Sequence, residues 1–153
     1  MVLDILFGKS VEDITKNTID KWKPRNCKKE ADYRTSLAKK LSNDLGSKAN
    51  VIEEHTYTLS KADIAIEKKK NKPHVIVELK HNYKSLSEHK RLIGQIEEYS
   101  DIPGLEALII VICGKDIKAN LKKELIQRIQ KKNDDEMVVL NNTITDKFFV
   151  YFK

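Results

Sequence analysis

The chain of 153 residues has the length of one ordinary domain, which buries a sufficient core without needing a disulfide or a metal. Hydrophobic residues make up 40% and charged residues 34% of the chain, which excludes extensive disorder, and no apolar run approaches the ~20 residues of a membrane span. Lys and Arg exceed Asp and Glu by 29 to 23, and the net charge of +6 favours a polyanionic partner such as nucleic acid. Two unpatterned cysteines and an N-terminus without a basic stretch predict an intracellular, reducing, cytoplasmic location.

Two helices are predicted before the first strand. Ser10 as N-cap and apolar residues at helical spacing predict a helix over 9–22. A second apolar stripe predicts a helix over 28–45 that ends at Gly46. This stripe consists of Tyr33, Leu37, Ala38, Leu41 and Leu45.

Strands dominate the middle of the chain. Three strand-like segments are predicted at 51–59, 62–68 and 73–80, and their short connections indicate an antiparallel meander. A helix over 87–100, with Ser87 as its N-cap, follows the third strand.

Strands and helices alternate in the last third. Residues 105–113 are apolar nearly throughout, which is typical of a strand covered on both faces. A helix over 116–132 comes next. Two short strands, 136–140 and 146–152, are predicted to end the chain, with Asn141-Asn142 in the turn between them.

This order of elements predicts the α/β class. A three-strand antiparallel meander followed by strand–helix alternation gives a central mixed β-sheet flanked by helices. No repeat or internal linker interrupts the pattern, so a single domain is expected over 1–153, with 1–25 as an N-terminal helical extension.

Charged residues occur at the end of the third strand, where the pattern otherwise indicates core. Alternation places Glu78 and Lys80 on one face of that strand. If the second and third strands form a hairpin around 69–72, paired positions sum to 141, so Asp63 lies opposite Glu78 and Lys61 opposite Lys80.

Two carboxylates at this separation suit a hard cation. Directly opposed residues have β-carbons ~5 Å apart, and carboxylates that close raise one another's pKa unless a cation lies between them. Mg²⁺ accepts one or two carboxylates together with water and a substrate phosphate. Lys80 then stands beside this pair to hold a water, whereas the alternative is an ordinary solvated sheet face with surface ion pairs.

Three helical residues belong to the same hypothesis. Glu30 precedes Tyr33 and Leu37 at helical spacing, so it shares their inward face, although an acid at a helix start is also favoured by the dipole alone. Gln95 and Tyr99 stand four apart on the helix after the third strand, where a polar flank is the alternative.

These residues together resemble a known nuclease superfamily. Asp63, fourteen further residues and then Glu78-Leu79-Lys80 resemble the metal-binding signature of the PD-(D/E)XK nucleases, with Ala62 where that signature has Pro. The run from Gln95 to Tyr99 resembles the Gln-x-x-x-Tyr motif of the RecB-like branch. The resemblance implies a restriction-endonuclease-like fold and covers 30–113.

The resemblance also implies roles for these residues. Asp63, Glu78 and the backbone carbonyl of Leu79 would bind Mg²⁺ or Mn²⁺, and Glu30 would contribute directly or through a water. Lys80 would position the attacking water and stabilise charge on the phosphate. Gln95 and Tyr99 would orient the site or the DNA backbone, and the reaction would be metal-assisted phosphodiester hydrolysis.

Lysines are expected to follow a DNA backbone without reading its sequence. The candidates are the lysines of the hairpin and of the helix over 116–132, although a solvated surface is the alternative for both groups. The named positions are Lys61, Lys69, Lys70, Lys118 and Lys122.

The sequence therefore favours a Mg²⁺-dependent deoxyribonuclease, as a single chain or as a homodimer, acting on duplex, branched or single-stranded DNA. The residue pattern fits RNA as well as DNA as the substrate, and cutting from an end as well as internal cutting. A non-catalytic nucleic-acid-binding or assembly protein with the same fold is the alternative, because fold does not fix function. A third hypothesis is an α/β domain without any nucleic-acid role.

Overall fold

A computed structural model describes residues 9–136, 138–140 and 143–153. The helices, besides a 3₁₀ turn at Gly46–Lys48, are α1 (Val11–Lys21), α2 (Glu30–Leu45), α3 (Leu86–Ser100) and α4 (Ala119–Asp135). The strands are β1 (Asn50–Thr56), β2 (Lys61–Lys69), β3 (Lys72–His81), β4 (Ala107–Cys113), β5 (Val138–Leu140), β6 (Thr143–Thr145) and β7 (Phe148–Phe152).

A five-stranded mixed sheet, in the order β1-β2-β3-β4-β7, carries the helices on its two faces. The first three strands form an antiparallel meander, and β3, β4 and β7 run parallel. The predicted α/β class with a central mixed sheet and flanking helices is confirmed.

The two faces of the sheet each carry a core. Val75, Val77 and Leu79 point toward α1 and α2, whereas Ile76 on the same strand packs with residues of α3 and α4. This alternation confirms the faces predicted from the period of two in β3. Glu78 and Lys80, which follow Ile76 on the same face of β3, therefore lie at the end of the second core.

Helix α2 forms where the apolar stripe predicted it, and all five stripe residues are buried. The carboxylate of Asp32 accepts hydrogen bonds from the backbone N–H groups of Lys28 and Lys29, which closes the first turn. Gly46, with φ of +55°, ends the helix in the left-handed region that glycine tolerates. The hydrogen bonds to Asp32 therefore fix the start of the helix at Glu30, and Gly46 fixes its end.

The two strands predicted at 136–140 and 146–152 form at Val138–Leu140 and Phe148–Phe152, but a third short strand, β6, lies between them. β5 pairs with β6, whereas β7 pairs in parallel with β4 and completes the edge of the main sheet. The side chain of Asn133 at the end of α4 helps to seat this strand, since it donates to the Phe148 carbonyl and accepts from the Phe148 N–H, both at 2.8 Å. The predicted Asn141-Asn142 turn and positions 1–8 of the N-terminal extension lie outside the described residues.

Two helix starts also differ from the prediction. Ser85 rather than Ser87 caps α3, because its hydroxyl accepts from the N–H of Glu88. Helix α4 begins at Ala119 rather than at 116. The N–H of the preceding residue, Lys118, donates to the Tyr83 carbonyl at 2.9 Å. No helix among the described residues is long and apolar enough to cross a membrane.

Leu41→Ala is expected to lower the free energy of unfolding by about 2–5 kcal/mol, because Leu41 is fully buried between α2 and the sheet and its loss leaves a cavity. Leu86→Ala is the matched control, since Leu86 is 56% exposed, and a change within about 0.5 kcal/mol is expected. Urea unfolding measures both, and equal losses would contradict the assignment of the core.

Candidate functional site

The backbone ladder between β2 and β3 ends at Ile64 and Val77, and two carboxylates continue the contact. The N–H of Leu79 donates to Oδ2 of Asp63 at 2.8 Å, and the N–H of Asp63 donates to Oε1 of Glu78 at 3.1 Å. The register around Ile64, with pairs that sum to 141, agrees with the prediction. Asp63 and Glu78 therefore lie face to face at the open end of the hairpin.

The expected pairing of Lys61 with Lys80 is not formed. Lys61 is exposed and pairs with Thr56 of β1, whereas Lys80 is buried and pairs with Ile112 of β4. The reason is the end of the ladder, because beyond Ile64 the side chains of Asp63 and Glu78 replace the backbone contacts between the strands. Lys80 consequently belongs to the interior of the site and Lys61 to its rim.

Glu78 is a buried carboxylate with an unfavourable environment for its charge. Its residue is 1% exposed, and burial, followed by the charge of Asp63, raises the pKa of its carboxyl well above the ordinary value. Within the described residues, neither Asp63 nor Glu78 forms an ion pair. A buried acid whose pKa is raised by burial and by a neighbouring carboxylate is typical of a functional site.

Glu30 and Lys80 complete the charged group. Glu30 begins α2 half-buried, facing the backbone N–H of His81 and the ammonium of Lys80. Burial raises the pKa of the Glu30 carboxyl, Lys80 lowers it and Asp63 raises it again. These mutual effects show that α2 brings Glu30 to the same end of the sheet as the β2 and β3 residues.

Gln95 and Tyr99 bring two unpartnered polar atoms to this place. Both side chains are buried, and neither Oε1 of Gln95 nor the Tyr99 hydroxyl finds a hydrogen-bond partner among the described residues. Burial, and then the nearby charge of Glu78, raise the pKa of the Tyr99 phenol. Because buried polar groups are nearly always satisfied, these two atoms indicate that water or a ligand belongs beside Glu78.

The donor set fits Mg²⁺ or Mn²⁺ better than zinc. The two hydrogen bonds between the strands occupy one oxygen of Asp63 and one of Glu78, which leaves one carboxylate oxygen of each for another contact. The described residues contain no group of three or more His, Cys, Asp or Glu side chains placed to hold a metal, so side chains alone form neither a closed zinc site nor a three-carboxylate set of Glu30, Asp63 and Glu78. Two carboxylates completed by a carbonyl and waters are a donor set that Mg²⁺ accepts.

Gly114, which was not among the predicted site residues, allows a close contact at the rim of the site. Gly114 follows β4 with φ of +94°, and a Cβ there would stand 2.4 Å from Oδ1 of Asn82. The N–H of Asn82 donates to the carbonyl of Cys113 at 2.9 Å, so the ends of β3 and β4 are joined here. A lone glycine after an apolar strand is the only signal for this contact in the sequence.

Exposed lysines surround the same end of the sheet. Each lies within a few residues of an element end that reaches the site, and within the described part of the chain none forms an ion pair. We call them the rim lysines: Lys28, Lys29, Lys61, Lys115 and Lys118.

Three of the predicted DNA-binding lysines are not among the rim lysines. Lys69 and Lys70 occupy the hairpin end of β2, six or more residues from Asp63, which is roughly 20 Å along a strand. The ammonium of Lys122 lies 4.5 Å from the centre of the Phe152 ring, over the edge strand β7.

Glu78→Gln is expected to raise the free energy of unfolding in EDTA by about 1 kcal/mol, because it removes a buried negative charge that faces Asp63. Mg²⁺ should raise the melting temperature of the wild type and have a smaller effect on the variant. Thermal unfolding with Mg²⁺ and with EDTA measures both, and Glu54→Gln is the control on an exposed, ion-paired acid. A destabilised Glu78→Gln protein with an unchanged Mg²⁺ response would count against a metal site.

Gly114→Ala is expected to lower the free energy of unfolding by about 1–2 kcal/mol, because a side chain at this φ is strained and meets Asn82. Gly94→Ala is the matched control, because Gly94 lies inside α3 with open space around its Cα. That change should raise the free energy of unfolding by up to about 1 kcal/mol. Urea unfolding measures both, and the same sign for both variants would contradict the proposed contact.

The site thus combines paired carboxylates, a buried lysine and two unpartnered polar atoms at the ends of strands β2 and β3. Carboxylates of this kind are typical ligands of divalent cations, and buried lysines are typical donors to anionic groups. No family model, no curated protein and no solved structure matches the chain.

Proposed function

We propose that the protein is a metal-dependent deoxyribonuclease with a restriction-endonuclease-like fold. The observation that carries the proposal is the buried carboxylate of Glu78, which faces Asp63 and lies close to the buried Tyr99 hydroxyl. This arrangement supports a site that is completed by a cation and a phosphate.

Asp63, Glu78 and the Leu79 carbonyl are the groups that would hold Mg²⁺ or Mn²⁺, with Glu30 contributing beside them. When bound, the metal supplies a more acidic water and partial neutralisation of the phosphate charge. Lys80 enters the same place from the buried part of β3, where its ammonium donates hydrogen bonds to the attacking water or to a phosphate oxygen.

Gln95 and Tyr99 act as positioning residues in this proposal. The raised pKa of Tyr99 keeps its phenol protonated, so the hydroxyl donates a hydrogen bond and fixes the orientation of Glu78 or of the phosphate. Both side chains are buried against the sheet, so their rotamers are restricted before a substrate arrives.

The rim lysines favour a nucleic-acid substrate. Lysines contact phosphates without reading bases, so they position a strand near the site and make binding depend on salt. Lys28, Lys29 and Lys61 approach from α2 and β2, whereas Lys115 and Lys118 approach from the segment after β4. A phosphate backbone that crosses the ends of these strands would contact both groups.

Lys80→Ala is expected to lower the rate of DNA cleavage at least about hundredfold, because it removes the only buried cation of the described site. The assay uses a linear duplex, a single strand, a nicked circle and a four-way junction, each with Mg²⁺, Mn²⁺ or EDTA. Lys84→Ala is the control at an exposed lysine paired with Asp116, and it should cleave as the wild type does.

Two results would overturn the nuclease proposal. One is cutting that persists in EDTA or in the Lys80→Ala protein, since it would identify a contaminating activity. The other is a folded wild type that shows a Mg²⁺-dependent rise in melting temperature but cuts none of these substrates, which would favour a non-catalytic nucleic-acid-binding protein.

A further inference from the structure

Leu59 stands out among the apolar residues of the protein because its side chain is fully in water. Its relative exposure is 98%, and the next large hydrophobic residue in the described chain is Leu86 at 56%. Single exposed leucines are common on protein surfaces, so the exposure of Leu59 alone assigns no role to it. Two further observations bear on its role: the turn that carries Leu59 is anchored, and it lies beside the candidate site.

The loop that carries Leu59 is anchored on both sides of it. Thr58 donates its hydroxyl to the carboxylate of Glu98 on α3, and Ser60 donates its N–H and its hydroxyl to the same carboxylate, both at 2.9 Å. These bonds, with that of Thr58 first, hold the pKa of Glu98 below its ordinary value. The leucine is therefore presented by a fixed turn and is not free to fold back onto the protein.

The turn lies beside the candidate site. Leu59 lies in the loop just before β2, four residues before Asp63, so the two α-carbons are at most about 14 Å apart. Glu98, which holds the turn, directly precedes Tyr99, whose hydroxyl faces Glu78. The exposed rim lysine Lys61 stands between Leu59 and Asp63, so a phosphate contact and an apolar tip occur side by side.

We propose that Leu59 is a wedge that enters the base stack of a nucleic-acid strand held at the candidate site. The inference rests on the proposed nuclease function and narrows its substrate to nucleic acid with an accessible step in its stack, such as an end, a nick or a junction. Apolar side chains that insert between bases unstack them and bend the duplex, and an end or a branch point offers the least resistance.

The geometry fits a strand that runs from the wedge to the carboxylates. Bases along one strand rise by ~3.4 Å, so a separation of at most about 14 Å corresponds to roughly four base steps. A second copy of the chain is the other occupant that an apolar tip attracts. The neighbouring Lys61 favours the phosphate-rich partner, because two copies would bring like charges together.

The test is fluorescence of 2-aminopurine placed within four nucleotides of the end of a duplex, titrated with protein in EDTA so that no cleavage occurs. Wild type is expected to raise the fluorescence several-fold, whereas Leu59→Ala should give no rise and roughly tenfold weaker binding, as expected for losing a buried leucine contact. Leu59→Phe should restore the signal, and Leu86→Ala is the matched control, about 18 Å away along α3 from the Glu98 anchor.

The outcomes separate the wedge from the nuclease. Equal fluorescence with wild type and Leu59→Ala would overturn the wedge, even if the wild type cleaves DNA in Mg²⁺. A signal that depends on Leu59, in a protein that cleaves nothing, would keep the wedge and overturn the nuclease. Sedimentation of the free proteins completes the test, since a dimer that becomes a monomer in Leu59→Ala would assign the leucine to self-association instead.

Discussion

The replacement of backbone pairing by carboxylates at the end of β2 and β3 determines the rest of the site. Beyond Ile64 and Val77 the two strands are joined through the side chains of Asp63 and Glu78, each of which accepts a backbone N–H. These bonds place two acids at a defined separation without the flexibility of a loop. Glu78 lies in the interior, where burial and the charge of Asp63 raise the pKa of its carboxyl and the charge of Lys80 only partly opposes them.

A sheet covered on both faces tolerates the buried carboxylate of Glu78, because its two apolar cores include neither Asp63 nor Glu78. Burial of the apolar residues of β3 and β4 against four helices contributes most of the stability, and the polar residues are confined to one end of the strands. In open α/β sheets the ends of the strands are where the helices leave space for a ligand. The buried acid, the lysine and the unpartnered Gln95 and Tyr99 atoms are gathered at that end.

The period of two, together with the hairpin length, was sufficient to predict that Asp63 and Glu78 meet, because local geometry fixes register. Helical spacing likewise identified the buried face of α2. The partner of β7 was not predictable in this way, since alternation identifies a strand but not the strand beside it, which is selected by side-chain contacts such as that of Asn133. Rim lysines such as Lys28 and Lys115 were missed because they meet only when distant elements converge. The proposed roles of the site residues remain predictions.

The position of β7 has a consequence for how the protein is made. β4 consists of seven buried residues, Ala107–Cys113, and its outer edge is paired with β7 and the residues on either side of it. While the ribosome still holds that later segment, the nascent chain exposes an apolar β-edge that is able to pair with other molecules. The interval between the synthesis of β4 and that of β7 is therefore the period of greatest aggregation risk, during which a chaperone would be most useful.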